Sequence, residues 1–309
     1  MVEIIRATEM GFCMGVRRAV TIMEEATSEG SPVFSYGEIV HNARVVQRLE
    51  SVGVMRLPGL DATDADPSAA TRIGSDGNRI AITAHGVAQD VIQTLEDARV
   101  EVVDTTCPIV TRAQRYAEKF VRENRHVLIF GDPGHKEVRG IVGWANNAQG
   151  ESQATVMEHC DIDSLRRLVD NFPGGLPSRI GVMAQTTHKV EDFGRFVSNL
   201  MQIERDLNFD LHVVNTLCHA TTGQQEAAAK LARNVDVVVV VGGRNSANTR
   251  HLREVCLEQH TPTHHIESAD ELEATWFIGA DRAGVTAGAS TPDDSVDEVE
   301  TRLRELLPR

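Results

Sequence analysis

No apolar run in the 309-residue chain reaches the roughly eighteen residues that a membrane-spanning helix needs. Membrane insertion is therefore not expected. Met1-Val2-Glu3 leads directly toward a strand, without the charged and apolar pattern of a secretory leader, which predicts a cytoplasmic protein. Positive charge is scarce: 31 Lys and Arg against 45 Asp and Glu give a formal net charge of −14. The basic residues are scattered, so nucleic-acid binding is not expected, and an anionic ligand would need a local pocket of donors. No Gly-x-Gly-x-x-Gly fingerprint for a nicotinamide or flavin dinucleotide is present. Cysteine is sparse as well. The five cysteines, at 13, 107, 160, 218 and 256, lie too far apart for the dense disulfide framework of a small secreted protein. That leaves metal binding, catalysis or simple burial as small apolar groups.

Three of the five share a setting. Asp104-Thr105-Thr106-Cys107-Pro108 follows an apolar stretch, Val100 to Val103, and precedes a helical pattern. Ile4 to Ala7 leads in the same way to Gly11-Phe12-Cys13, and Leu211 to Val214 leads to Asn215-Thr216-Leu217-Cys218. The apolar spacing after each cysteine is that of a helix. Each thiol is thus expected at a helix N-terminus, where free backbone N–H groups and the positive end of the dipole favour a thiolate.

The landmarks that follow also repeat. His41, His135 and Ser246 each stand 28 residues after the cysteine of their own copy, on polar loops that follow strands. A third apolar strand then ends at His85 or Ser290, both 72 residues after their cysteines, and at Thr186, 79 residues after Cys107. One supersecondary unit is used three times. Alternating strands and helices, with runs such as Val237 to Val241, predict an α/β fold with mainly parallel sheets covered on both faces. We expect three similar lobes, 1–105 with Cys13, 106–214 with Cys107 and 215–309 with Cys218, in a pseudo-threefold arrangement. Leu57 to Asn78 and Asn171 to Ser178 read as surface loops. In the later two copies, Thr155-Val156-Met157 and His264-His265-Ile266 predict an extra strand, followed by helix starts at Asp161 and at the Ser268 to Glu271 capping box.

Ligands in open α/β sheets bind beyond the carboxyl ends of the strands, where all these landmarks fall. Three thiols without a fourth repeated cysteine suit an iron–sulfur cluster with one open iron, and a catalytic zinc is the alternative. His41, His85, Ser246, Asn248 and Ser290 are donors of the kind that hold phosphate oxygens. His135 and Glu137 flank Lys136 and form a candidate proton-relay pair, with Thr186 as a hydroxyl link. Cys160 and Cys256 occupy no repeated landmark and are read as structural.

The ordered motifs Gly11-Phe12-Cys13-Met14-Gly15-Val16, Val40-His41-Asn42, Ala84-His85-Gly86-Val87, Asp104-Thr105-Thr106-Cys107-Pro108, Gly134-His135-Lys136-Glu137-Val138, Gln185-Thr186-Thr187, Asn245-Ser246-Ala247-Asn248 and Thr286 to Asp293 span nearly the whole chain. In that order the set resembles the 4-hydroxy-3-methylbut-2-enyl diphosphate reductase family of the methylerythritol phosphate route to isoprenoids. The resemblance implies a 4Fe-4S cluster on Cys13, Cys107 and Cys218, with one iron free of protein ligands. It also implies proton supply by Glu137, organisation of the hydroxyl and nearby water by Thr186 and His135, and a diphosphate held by His41, His85, Ser246, Asn248 and Ser290. Electrons would come from a ferredoxin or flavodoxin. Four positions depart from the usual pattern: Ala247 for a serine, Gln224 for an arginine, Met14 for a smaller residue, and Lys136 where proline is frequent. These are expected to spare the chemistry and to retune substrate binding. Two other readings of the thiols remain: a redox-neutral iron–sulfur enzyme such as quinolinate synthase, and a non-catalytic redox-sensing module.

Overall fold

Strand and helix alternate through the computed structural model, which describes residues 2–28, 30, 32–57, 67–75, 77–146, 150–207 and 209–307. From β1 (Glu3–Arg6) the chain passes through α1 (Met14–Ser28), β2 (Val33–Ser35), α2 (Ala43–Ser51), β3 (Val54–Arg56), α3 (Pro67–Ser75), β4 (Arg79–Ile82), α4 (Gln89–Asp97) and β5 (Val102–Asp104). It continues through α5 (Pro108–Arg122), β6 (His126–Phe130), α6 (Lys136–Trp144), β7 (Ala154–Met157), α7 (Ile162–Asp170), β8 (Arg179–Ala184), α8 (Val190–Leu207) and β9 (Asp210–Val213). The last third holds α9 (His219–Ala232), β10 (Val237–Val241), α10 (Ala247–Glu258), β11 (Thr263–Ile266), β12 (Arg282–Ala287) and α11 (Asp293–Leu306).

Among the described residues these strands form three four-stranded sheets, ordered β3-β2-β4-β5, β7-β6-β8-β9 and β11-β10-β12-β1. Every pairing is parallel. This is the expected three-lobed α/β architecture, and the strand order is the same in each sheet. The last strand of each sheet runs on to a cysteine: β5 to Cys107, β9 to Cys218 and β1 to Cys13.

One consequence departs from the linear reading. Residues 3–6, assigned from the sequence to a 1–105 lobe, pair with β12 in the register Glu3↔Arg282 to Arg6↔Val285. Beyond β1 the chain stays tied to the same partner segment, through Gly11 N–H to Ala287 O and Cys13 N–H to Ala289 O, at 3.1 and 3.0 Å. Arg6 reinforces the pairing by donating to Asp297 at 2.7 Å and to Glu300, both on α11. By contacts the chain divides into two compact units, Met1–Val20 with Val40–Ser51 and Cys218–Arg309, and Thr21–Ile39 with Val52–Leu217.

Alternation along the strands builds a core on both sheet faces. Val237, Val239 and Val241 join Phe277, Val296, Val299 and Leu303 on one side of β10, whereas Val238 and Val240 meet Ala228, Leu252 and Cys256 on the other. In β6, Leu128 and Phe130 pack with Leu165 and Phe196, and Val127 and Ile129 with Phe120 and Ile141. Each such fully buried side chain contributes about 1.5–3 kcal/mol by leaving water. The fit is close at β8, where a Cβ on Gly181 would lie 2.4 Å from the Phe120 ring. Only glycine lets that ring lie on the strand.

The short elements are where sequence and structure part. The stretch from Leu57 to Asn78 is not only loop, because α3 forms within it, starting at Pro67 and burying Ala70 completely; residues 58–66 and 76 lie outside the described set. Proline at the first helical turn costs no hydrogen bond, which is why it starts this helix. The first copy also carries the extra strand expected only of the later two, as the three-residue β3. Residues 171–178 do form a turn-rich, largely exposed connection. Asp161 caps α7 by accepting from Ser164 N–H at 2.8 Å, and the Ser268 to Glu271 capping box opens a 3-10 turn.

Candidate active site

In the unit that contains the chain's first residues, Cys13 immediately precedes α1 and Cys218 is the N-cap of α9. Both thiols are half-buried and uncrosslinked. Burial, the largest influence, pushes the Cys13 thiol above its ordinary pKa, and the nearby Cys218 adds to the rise. The backbone N–H groups of Val16 and Gly15 work in the opposite direction. The helix N-terminus therefore does what the sequence predicts, but at Cys13 desolvation outweighs it.

Three landmarks from distant parts of the sequence meet in this unit. The Ser290 hydroxyl donates to the His41 carbonyl at 3.0 Å, and a Cβ on Gly243 would stand 2.5 Å from that same oxygen. Glycine at 243 lets the two loops touch. Asn42 caps α2, accepting from Val45 N–H at 3.2 Å, which fixes the backbone beside His41. Ser246 caps α10, accepting from Thr249 N–H at 3.3 Å, and leaves its own O–H for another acceptor. Asn248, in the first turn of that helix and 3% exposed, donates to Gln224 Oε1 at 2.9 Å. Gln224 in turn donates to the Gly11 carbonyl at 2.8 Å. The sequence singled out Gln224 only as a departure from the arginine pattern; its link across 213 residues to the loop before Cys13 has no local signal. Ala247 is buried at 3% and Met14 is 69% exposed, so the larger side chain at 14 crowds nothing.

The second unit carries the acid. Cys107 is the N-cap of α5, with Pro108 at the first helical position and its own N–H bonded to Ala84 O at 3.0 Å. The loop before it is held by Asp104 Oδ1, which accepts from Thr106 N–H at 2.8 Å, and by the Thr105 hydroxyl on Ile82 O. Asn215 and Thr216 repeat both contacts ahead of Cys218, on Leu217 N–H and Ala184 O. His135 caps α6, its Nδ1 accepting from Glu137 N–H at 3.2 Å, which makes Nε2 the protonated nitrogen of a neutral ring. The His85 ring meets His135 edge to face, with centroids 5.7 Å apart. The His85 ring thus stands next to the ring that caps α6.

Glu137 is 2% exposed. Its Oε1 accepts from Thr186 N–H at 2.7 Å and its Oε2 from the Thr186 hydroxyl at 2.9 Å. Burial raises its pKa to about 7 against the pull of those two hydrogen bonds. A carboxyl so placed holds a proton near neutrality and can release it. Gln185, which the sequence quoted only as part of a motif, is completely buried and accepts from Asp132 N–H at 3.0 Å, tying the loop before α6 to the end of β8.

The donor set suits a thiolate-bound iron–sulfur group. Cys13, Cys107 and Cys218 are not in disulfides and each lies at a helix start after an equivalent strand, whereas Cys256 is buried and its thiol is pushed up to about 12 by desolvation. Among the described residues no group of three or more His, Cys, Asp and Glu side chains is arranged to hold a metal ion, and the three-cysteine ligand set remains a proposal. No helix among those residues is long and apolar enough to cross a membrane.

Known proteins match nearly the whole chain. The 4-hydroxy-3-methylbut-2-enyl diphosphate reductase of Citrifermentans bemidjiense is 38% identical over 97% of this chain and 96% of its own. That of Geobacter sulfurreducens is 37% identical, with 98% of each chain covered. Among solved structures, an (E)-4-hydroxy-3-methyl-but-2-enyl diphosphate reductase, described as the terminal enzyme of the non-mevalonate pathway, is 34% identical with a TM-score of 0.65, covering 99% of this chain and 100% of that one. The fold is shared with the E-1-hydroxy-2-methyl-but-2-enyl-4-diphosphate reductase of Plasmodium falciparum, at a TM-score of 0.82 and 23% identity, covering 98% of this chain and 88% of that one. Residues 4–304 match the LytB protein family, and with full-length relatives at this identity the chain belongs to it.

Proposed function

We propose that this chain catalyses the reductive dehydroxylation of 4-hydroxy-3-methylbut-2-enyl diphosphate to isopentenyl diphosphate and dimethylallyl diphosphate in isoprenoid synthesis. In the balanced reaction two electrons and two protons enter, the allylic C–O bond breaks and the oxygen leaves as water. The observation that carries this reading is the buried Glu137 carboxyl on Thr186, with a pKa of about 7. Removal of a hydroxyl as water needs a proton source that stays charged with a proton at neutral pH while shielded from solvent.

Each residue has a stated part. Glu137 holds the proton at a carboxyl oxygen, and Thr186 fixes both of those oxygens. His135, neutral and protonated at Nε2, orders the hydroxyl and nearby water. His41, His85, Ser246, Asn248 and Ser290 bind the diphosphate, as polar groups inside an acidic chain. Cys13, Cys107 and Cys218 would hold a 4Fe-4S cluster, which when bound supplies electrons and a Lewis-acidic iron. Those electrons are delivered by a ferredoxin or flavodoxin, and the cytoplasm is the proposed compartment.

The test is an anaerobic product analysis after reconstitution with iron and sulfide, with and without a low-potential reductant. Both C5 diphosphates should form with the reductant alone, and the Glu137→Gln variant should keep its iron and lose turnover. Product formation without any reductant would reassign the chain to redox-neutral chemistry, and unchanged turnover in Glu137→Gln would remove Glu137 from the mechanism.

A further inference from the structure

Asn248 is the one member of the proposed diphosphate set whose side-chain oxygen, Oδ1, is buried without a hydrogen-bond partner. What points it there can be read from one fixed end of a chain of amides. The Gly11 carbonyl can only accept, so the Gln224 atom 2.8 Å away must be its Nε2. That turns Gln224 Oε1 toward Asn248, and an oxygen there admits only the amide nitrogen, at 2.9 Å. Both amide orientations follow from the Gly11 backbone, and Asn248 is left presenting Oδ1 and its second N–H to whatever fills the site. Gln224, itself 4% exposed, has N–H donors as an arginine does but carries no charge and adds an acceptor oxygen.

We propose that Gln224 is a positioning residue for diphosphate recognition: it acts through Asn248, locking the amide in one orientation and joining it to the loop that enters Cys13. This rests on the assignment of Asn248 to the diphosphate site. The orientation is costly to hold without a ligand, because a buried acceptor lacks a donor. A diphosphate bearing one proton supplies that donor to Oδ1 while its ionised oxygens take the remaining amide N–H. Release of Asn248 from Gln224 would let the side chain rotate and satisfy itself elsewhere, at the expense of anion binding. Positioning, not charge, is then how this chain meets the requirement that an arginine at the same position would meet differently.

A double-mutant cycle on inorganic pyrophosphate binding, measured calorimetrically on the anaerobically purified full chain, tests this. Gln224→Met keeps the length of the side chain and removes both hydrogen bonds; Gln224→Ala is the second variant should the first fold poorly. Asn248→Ala should weaken pyrophosphate by about tenfold, the Gln224 variant by about fivefold, and the double variant no further than Asn248→Ala alone. With the C5 substrate, the Gln224 loss should appear in KM rather than kcat. Multiplicative losses in the double variant, or full affinity in the Gln224 variants, would overturn the proposal. Ser246→Ala separates the two ideas. If it weakens pyrophosphate while the cycle is additive, only the role of Gln224 falls; if neither Ser246→Ala nor Asn248→Ala changes affinity, the diphosphate assignment falls and the positioning role with it.

Discussion

Thr186 grips Glu137 with two donors, its backbone N–H on one carboxyl oxygen at 2.7 Å and its hydroxyl on the other at 2.9 Å. Both hydrogen bonds favour the carboxylate, yet the pKa of Glu137 stands at about 7 because burial favours the neutral acid more strongly. The contest between these effects sets the pH at which the proton is available.

The pH profile should show it. Turnover is expected to fall as pH rises through about 7, with the slope of a single proton, because the ionised form has no proton to give. Glu137→Gln should lose about 10²–10⁴ in kcat at every pH. A flat profile from pH 6 to 8 under single-turnover conditions would place the proton on another group.

Stability should carry the same signature with a definite sign. The folded pKa of about 7 lies above the ordinary 4.5, so the folded state binds more protons and loses stability as pH rises between those values. At order of magnitude the loss is up to about 3 kcal/mol, constant above pH 7. Glu137→Gln has no such group, and urea unfolding should find it gaining on the wild type across that window. Parallel curves for the two proteins would show that Glu137 ionises freely.

Thr186→Val removes the hydroxyl and leaves the backbone N–H. One oxygen of the buried carboxylate then lacks a donor, so the Glu137 pKa rises further and the descending limb of the profile moves to higher pH. The change should cost about 1–3 kcal/mol at pH 8, where the group is charged. Displacement of the limb to lower pH would contradict the assigned hydrogen bond.

Cysteine replacements should divide into two classes. Cys13→Ala, Cys107→Ala and Cys218→Ala should each abolish the broad absorption near about 400 nm and most of the iron and sulfide after anaerobic reconstitution. Cys256→Ala should keep the cluster and only lose stability, by about 1 kcal/mol, because Cys256 packs in the core with Val238, Val240 and Leu252. Full iron in Cys107→Ala would exclude it as a ligand.

Gly181→Ala tests the packing of β8. The added Cβ would lie 2.4 Å from the Phe120 ring, which is itself completely buried. Overpacking of this kind costs about 1–3 kcal/mol, and the Phe120→Leu replacement should recover part of it. An unchanged melting temperature would show that the ring can move aside.

Much of this was legible in the sequence because it is local. The strand, turn, cysteine and helix of each copy lie within residues 3–28, 102–122 and 210–232, and their repetition at a fixed offset of 28 residues to His41, His135 and Ser246 reflects one supersecondary unit. Long-range pairing was less so. Nothing near residues 3–6 says that they complete a sheet with 282–285, since all of the equivalent strands look alike in composition. Three-residue β3 is too short for a periodicity, and α3 was hidden by the Gly, Pro and Asp around it. The site divides in the same way. His135 and Glu137 are neighbours in sequence, but the grip of Thr186 spans 49 residues and that of Gln224 on Gly11 spans 213, and neither residue type announces its partner.

The pairing of β1 with β12 also dictates when the protein can finish folding. The first strand leaves the ribosome with no partner, because Arg282–Ala287 is made some 280 residues later. At about 5–20 residues per second, that wait is roughly 15 to 60 s. During it Ile4, Ile5 and the Cys13 loop remain an unpaired amino-terminal arm, while the strands at 33–104 and 126–213 can already assemble. Closure of that last sheet, and with it the seat of Cys13 against Ala289, waits until the segment from Arg282 to Ala289 has been made. Deletion of the first six residues would leave β12 with an open edge where β1 belongs, and a bulky amino-terminal fusion would slow its capture.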